Sequence, residues 1–107
     1  MAFVEAARLS DLPEGELLGV EIEGTRVCLA NCEGEVYAFA DNCTHRDYPL
    51  SEGELESDDE ECSVTCDWHG ARFDVRTGEA LSLPATRPVK VYDCRVEGDV
   101  ILVDVEP

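Results

Sequence analysis

The sequence predicts an all-β protein, a small antiparallel sandwich or barrel with a loop-rich subdomain inserted into it. Three observations predict this. Turn residues recur about every 8–12 positions, and the segments between them hold residues of high strand preference. No sustained helical periodicity runs through the chain.

In chain order, residues 3–9 form a first strand, closed by Ser10-Asp11-Leu12-Pro13-Glu14-Gly15, where Pro and Gly set turn angles. Leu17, Val20 and Ile22 lead into a tight turn at Glu23-Gly24. Residues 26–31 then run to a turn at Glu33-Gly34, and residues 35–40 return. That pair, with Val27 and Leu29 against Val36, Tyr37 and Phe39, reads as a hairpin. At the far end residues 90–96, the turn Glu97-Gly98-Asp99 and residues 100–105 repeat the pattern. The last strand alternates, with Val100, Leu102 and Asp104 opposite Ile101, Val103 and Val105.

Residues 41–88 differ, being rich in Cys, His, Gly, Pro and acid, with few regular strands expected. The chain of 107 residues is read as one domain with one compact core. Its β scaffold takes residues 1–40 and 89–107, and the inserted subdomain takes 41–88. A loop-heavy insertion of about 45 residues needs something to hold it, and a bound metal centre would do so. Within it, seven of the ten residues 52–61 are acidic, which reads as an exposed excursion. Asp74 and Thr77-Gly78 read as the turn of a short hairpin. Arg72 and Arg76 read as offsets to the surrounding acid.

Acidic residues outnumber basic ones by 25 to 8, for a formal net charge of −17. Such a field repels nucleic acid and anionic lipid and favours basic protein surfaces, besides keeping the protein soluble. Residues 1–8 lack the basic start and apolar run of a signal peptide, and no stretch approaches a membrane span. A cytoplasmic location is expected. Six cysteines, at 28, 32, 43, 62, 66 and 94, then point to metal binding by some of them rather than to disulfides. Cys28, Cys32, Cys62 and Cys94 are expected to be buried or half-buried strand residues. Cys62, four residues before Cys66 on the same strand face, is an alternative ligand should a histidine be lost.

Chemistry concentrates in Cys43-Thr44-His45 and, twenty residues on, Cys66-Asp67-Trp68-His69. These hold both histidines of the chain, each within three residues of a cysteine. Zinc or a [2Fe–2S] cluster would accept two thiolates and two imidazoles. Zinc knuckles usually pair Cys with Cys and His with His. Here each loop offers one of each, which suits two irons side by side.

Over nearly its whole length the chain resembles the Rieske proteins, and among them the ferredoxins of bacterial aromatic-ring dioxygenase systems. The resemblance runs through residues 9–15, Cys43-Thr44-His45, Leu50-Ser51-Glu52-Gly53 and the stretch from Cys66 through Trp68-His69-Gly70-Ala71-Arg72-Phe73-Asp74. It continues at Thr77-Gly78, Leu83-Pro84-Ala85, Pro88-Val89 and residues 96–99. It implies a Rieske-like fold with a [2Fe–2S] cluster on Cys43, His45, Cys66 and His69. The cysteines would bind the buried iron and the histidines the iron nearer solvent. The gap between the ligand loops is a few residues longer than is common, which the acid around residues 57–61 accounts for.

Respiratory Rieske proteins carry a loop disulfide and two hydroxyl donors near the cluster. The matching positions here are Tyr48 and Trp68, then Ala71 and Phe73, so both devices are missing. Losing donors to sulfur disfavours the reduced state, and a potential on the order of −150 mV is expected. Trp68, Pro49, Leu83 and Pro84 are expected to shield the cluster. No nicotinamide or flavin fingerprint, mononuclear iron triad or nucleophile–base pair is visible. The implied protein is not an enzyme but a monomeric one-electron carrier. It would take electrons from a flavin-dependent reductase and deliver them to a terminal oxygenase by transient docking. Two alternatives are the Rieske-like small subunit of an assimilatory nitrite reductase and a zinc-stabilised interaction module.

Overall fold

The computed structural model describes residues 3–41, 50–57, 62–66, 72–82 and 88–105. Ten strands form two antiparallel sheets, with no α-helix among the described residues. Strands β1 (Val4–Arg8), β2 (Leu17–Ile22), β3 (Thr25–Cys32), β4 (Glu35–Ala40), β9 (Val91–Glu97) and β10 (Val100–Asp104) make the larger one. Its order is β1-β10-β9-β4-β3-β2, and its outer strands β1 and β2 approach each other, so it nearly closes into a barrel. Strands β5 (Glu54–Ser57), β6 (Cys62–Thr65), β7 (Arg72–Asp74) and β8 (Ala80–Ser82) make the smaller sheet in sequential order. Among the described residues no helix is long and apolar enough to cross a membrane.

Two-residue turns explain how the larger sheet starts. Glu23-Gly24 and Glu33-Gly34 both hold positive φ at each position, the mirror-image turn whose twist matches paired strands. These turns fix β2 against β3 (Val20 opposite Val27) and β3 against β4 (Leu29 opposite Ala38). β9 then joins through Ala38 opposite Tyr92 and Phe39 opposite Val91.

The core has two parts rather than the one expected. Leu12, Ile22, Val27, Leu29, Ala38, Ile101 and Val103 fill the near-barrel. Cys28, Ala30, Cys32, Phe39, Leu50, Cys62, Val64, Cys66, Phe73, Val75 and Val89 fill the space between the sheets. β3 separates them: its alternate residues serve opposite cores, so both of its faces are covered. Each fully buried Phe, Leu or Val contributes roughly 1.5–3 kcal/mol of transfer free energy.

Two further expectations gain detail. The insertion is less loop-like than its composition indicated, since it holds the whole smaller sheet. Likewise the acidic stretch begins as a strand, with Leu55 pointing inward between the exposed Glu54 and Glu56. Alternate acids lie on the solvent face, where charge does not oppose strand pairing. The expected turn before β8 is present: Gly78 has φ +80°, and its N–H donates to the Asp74 carbonyl at 2.7 Å.

Candidate metal centre

β6 positions the candidate centre. Strand alternation sends Cys62, Val64 and Cys66 into the core between the sheets, and Cys66, just past the strand end, is fully buried. On the opposite face Ser63 Oγ accepts from Arg72 Nη2 at 3.0 Å, and that guanidinium lies 3.9 Å from Glu56. Thr65 pairs with Arg72, the first residue of β7. The segment from Cys66 to Arg72, which contains His69 in sequence, therefore leaves and returns at neighbouring paired residues.

The other Cys/His segment departs after β4. Asp41 follows that strand, 3% exposed, and its carboxylate accepts from the Ser51 N–H at 2.7 Å and the Ser51 hydroxyl at 2.8 Å. Ser51 belongs to a single 3-10 turn, Leu50–Glu52, whose Leu50 is fully buried. Next comes Gly53, whose N–H donates to the Leu50 carbonyl at 2.9 Å. A Cβ on Gly53 would overlap the carbonyl oxygen of Thr65, so only glycine lets this turn lie against the end of β6. An unbroken run of contacts thus joins Asp41, Ser51, Gly53, Thr65 and Cys66.

Of the four predicted ligands, Cys66 is placed by the structure, and Cys43, His45 and His69 lie outside the described residues. Tyr48, Pro49, Trp68, Ala71, Leu83 and Pro84 lie outside them too. Phe73 is buried in the inter-sheet core and carries no hydroxyl, as the sequence implies. Among the described residues no three His, Cys, Asp or Glu side chains gather as a metal site. The donor set still fits a [2Fe–2S] cluster. Cys66 offers a fully buried thiol in the inter-sheet core, and the remaining thiol and imidazoles belong in sequence to the two segments whose ends meet beside it.

The cysteine reading needs one correction. Cys32 and Cys62 form a disulfide, with Cα atoms 6.3 Å apart, across 30 positions of sequence. Compartment arguments favoured free thiols, but β3 and β6 face one core and bring these side chains within bridging reach. Cys62 is therefore not an alternative ligand. Cys28 is buried and free, and burial, followed by the nearby Asp41 charge, pushes its thiol well above its ordinary value. Sequence reasoning also missed Asp41 and Ser51. An aspartate directly after the apolar strand residues 36–40, two before the Cys-x-His motif, was the available signal.

Comparison with known proteins gives a consistent picture. The family model for the Rieske [2Fe-2S] domain matches residues 2–93. The ferredoxin component of biphenyl 2,3-dioxygenase from Rhodococcus jostii (strain RHA1) is 42% identical over 106 residues, covering 99% of this chain and 95% of that protein. The ferredoxin of carbazole 1,9a-dioxygenase from Nocardioides aromaticivorans IC177 superposes with a TM-score of 0.88 at 33% identity, covering 96% of this chain and 97% of that one. A complex of reduced oxygenase and oxidized ferredoxin in carbazole 1,9a-dioxygenase contains a chain matched with a TM-score of 0.85 at 30% identity, covering 94% of this chain and 91% of that one.

Proposed function

We propose, since this chain belongs to the Rieske [2Fe–2S] family and holds that family's cluster, that Cys43, His45, Cys66 and His69 bind the cluster and that the protein carries single electrons from a flavin-dependent reductase to a terminal oxygenase. The observation that carries this reading is the near-full-length identity with a dioxygenase ferredoxin component, in a chain retaining both Cys/His pairs. The curated relatives it matches along most of their length are named as ferredoxin components of dioxygenase systems.

A bound Rieske cluster supplies a one-electron couple. The protein's part is to hold it and aim it. Cys66 offers its thiolate from a buried position, where water does not compete for it. Ala71 and Phe73, lacking hydroxyls, leave the sulfurs without two donors, which supports a potential near the low end of the Rieske range, on the order of −150 mV. The net charge of −17 steers the protein toward basic surfaces on cytoplasmic partners. The carbazole dioxygenase complex, in which a ferredoxin meets its oxygenase, supports docking of this kind. Four retained ligands weigh against the nitrite reductase reading, and one Cys and one His per segment weigh against zinc.

The deciding experiment is electron paramagnetic resonance (EPR) of the dithionite-reduced protein, with Cys66→Ser beside it. A rhombic signal with average g below the free-electron value is expected, lost together with iron in the variant. Stoichiometric zinc without labile sulfide overturns the reading. Protein-film voltammetry returning a potential above zero overturns its low-potential part.

A further inference from the structure

We infer that Asp41 is a positioning residue for the cluster: through Ser51 it fixes the two ends of the segment that carries Cys43 and His45. This rests on those two residues being ligands.

Asp41 is two residues before Cys43, and Ser51 is six after His45. One carboxylate closes the interval, because Oδ1 takes the Ser51 backbone N–H at 2.7 Å and Oδ2 takes its hydroxyl at 2.8 Å. The Asp41 N–H donates to the Arg26 carbonyl of β3 at 3.2 Å, so the carboxylate hangs from the near-barrel and not from the segment it closes. Its side chain is only 1% exposed, and both donors are engaged at short distance. Hydrogen bonds to a buried ionised acceptor are the strong kind.

Arg26 is a weaker partner, with Nη2 3.7 Å from Oδ2 and a side chain 60% exposed. An exposed ion pair of that length adds little. The neighbouring strand is shaped around the arrangement. A Cβ at Gly19 in β2 would stand 2.7 Å from Ser51 Oγ and 2.8 Å from Asp41 Oδ2, so glycine there leaves room for the clasp. The same turn continues through Gly53 to Thr65, next to Cys66. One carboxylate therefore sets where the first ligand segment ends relative to the strand that delivers the second. Groups that orient metal ligands from outside the coordination sphere act in this way, and losing one typically weakens metal binding by about 10–100-fold.

The test compares parent protein, Asp41→Ala, Asp41→Asn and Ser51→Ala as purified holoproteins, with Leu29→Ala as a near-barrel control remote from the clasp. Three readouts are taken: the EPR lines of the reduced cluster, the rate of visible bleaching in chelator, and thermal unfolding. Asp41→Ala is expected to bleach about 10-fold faster than parent, with shifted or broadened EPR lines. Ser51→Ala moves the same way by less, because the backbone N–H still donates. Asp41→Asn recovers most of the retention, since its amide oxygen still accepts that N–H. Leu29→Ala lowers the unfolding temperature but leaves the EPR lines in place. Parent-like lines and bleaching in both Asp41→Ala and Ser51→Ala overturn the inference. So does faster bleaching that merely follows unfolding temperature, with Leu29→Ala on the same trend. Should Asp41→Ala not accumulate, Ser51→Ala decides on the same readouts. A parent protein with no rhombic signal instead removes the cluster assignment beneath it.

Discussion

Strands of the near-barrel sheet run five to eight residues and are joined in three places by turns of two residues. Those of the smaller sheet run three or four. The longer strands secure their own register, with six residue pairs between β2 and β3 and six between β3 and β4. The smaller sheet relies on attachments to the rest of the molecule. The Cys32–Cys62 bridge ties β6 to β3, Asp41 holds Ser51, and the Val89 N–H reaches the Gly78 carbonyl at 2.7 Å. A sheet of short strands is marginal by itself. The smaller sheet is thus stabilised from outside, by its ties to the rest of the molecule.

Cutting the covalent tie is the strongest way to break that comparison. Replacing Cys32 and Cys62 by Ser removes a bridge spanning 30 positions, and loop-closure entropy puts the cost at about 3–4 kcal/mol. Urea unfolding measures the loss. Hydrogen exchange locates it: protection should fall first in β5 to β8 and persist in β3 and β10. Equal loss in both sheets removes the distinction. The bridge itself has a separate check. Of six cysteines, four should react with a thiol reagent in denatured, cluster-free, unreduced protein, and six would mean no bridge.

The same contrast explains what the sequence made legible. Strands of the near-barrel announce themselves locally, through Glu23-Gly24 and Glu33-Gly34 and the alternation of Val100 to Val105, and they lie within a residue or two of where the pattern puts them. Cys66 is buried just past the end of β6, and the Cys-x-x-His motif it opens is also a local signal. The misses are of two kinds, contacts between separated parts of the chain and a composition that masks a strand. Cys32 and Cys62 meet because two sheets stack, and no spacing along the chain encodes that. β5 was hidden by its acids, which obscure the single inward Leu55. Asp41 looked like an ordinary polar residue at a strand end, and only its burial against Ser51 distinguishes it.

Glycines sharpen the comparison at a smaller scale. Gly24, in a near-barrel turn, has φ +83° and nothing near its missing side chain. Gly24→Ala should cost about 1 kcal/mol through backbone strain alone, with the visible spectrum unchanged. At Gly53 the obstacle is the Thr65 carbonyl, which belongs to the backbone and cannot swing aside. Gly53→Ala should cost about 1–3 kcal/mol and alter the cluster spectrum, because the strand end it displaces carries Cys66. Urea unfolding and visible circular dichroism on both variants check this. A spectral change in Gly24→Ala, or none in Gly53→Ala, contradicts it.

The smallest expected effect belongs to the near-barrel and depends on pH. Cys94 in β9 is half-buried and free, and burial lifts its thiol from 9.0 to about 11. The folded protein therefore holds this proton more tightly than the unfolded chain does. Below pH 9 both states keep it, and the stabilisation is complete. As pH rises from 9 towards 11 the unfolded chain ionises first, and the stabilisation drains away. Cys28, Tyr37 and Tyr92 are also raised, so total stability does not isolate Cys94. The difference between parent and Cys94→Ala does, since the other three titrate alike in both. That difference in urea midpoint should be constant up to pH 9 and shrink above it. Partial exposure of the thiol keeps the change small, because solvent screens what burial leaves open. A difference that stays flat to pH 11 would show that the near-barrel has no proton-linked stability at Cys94.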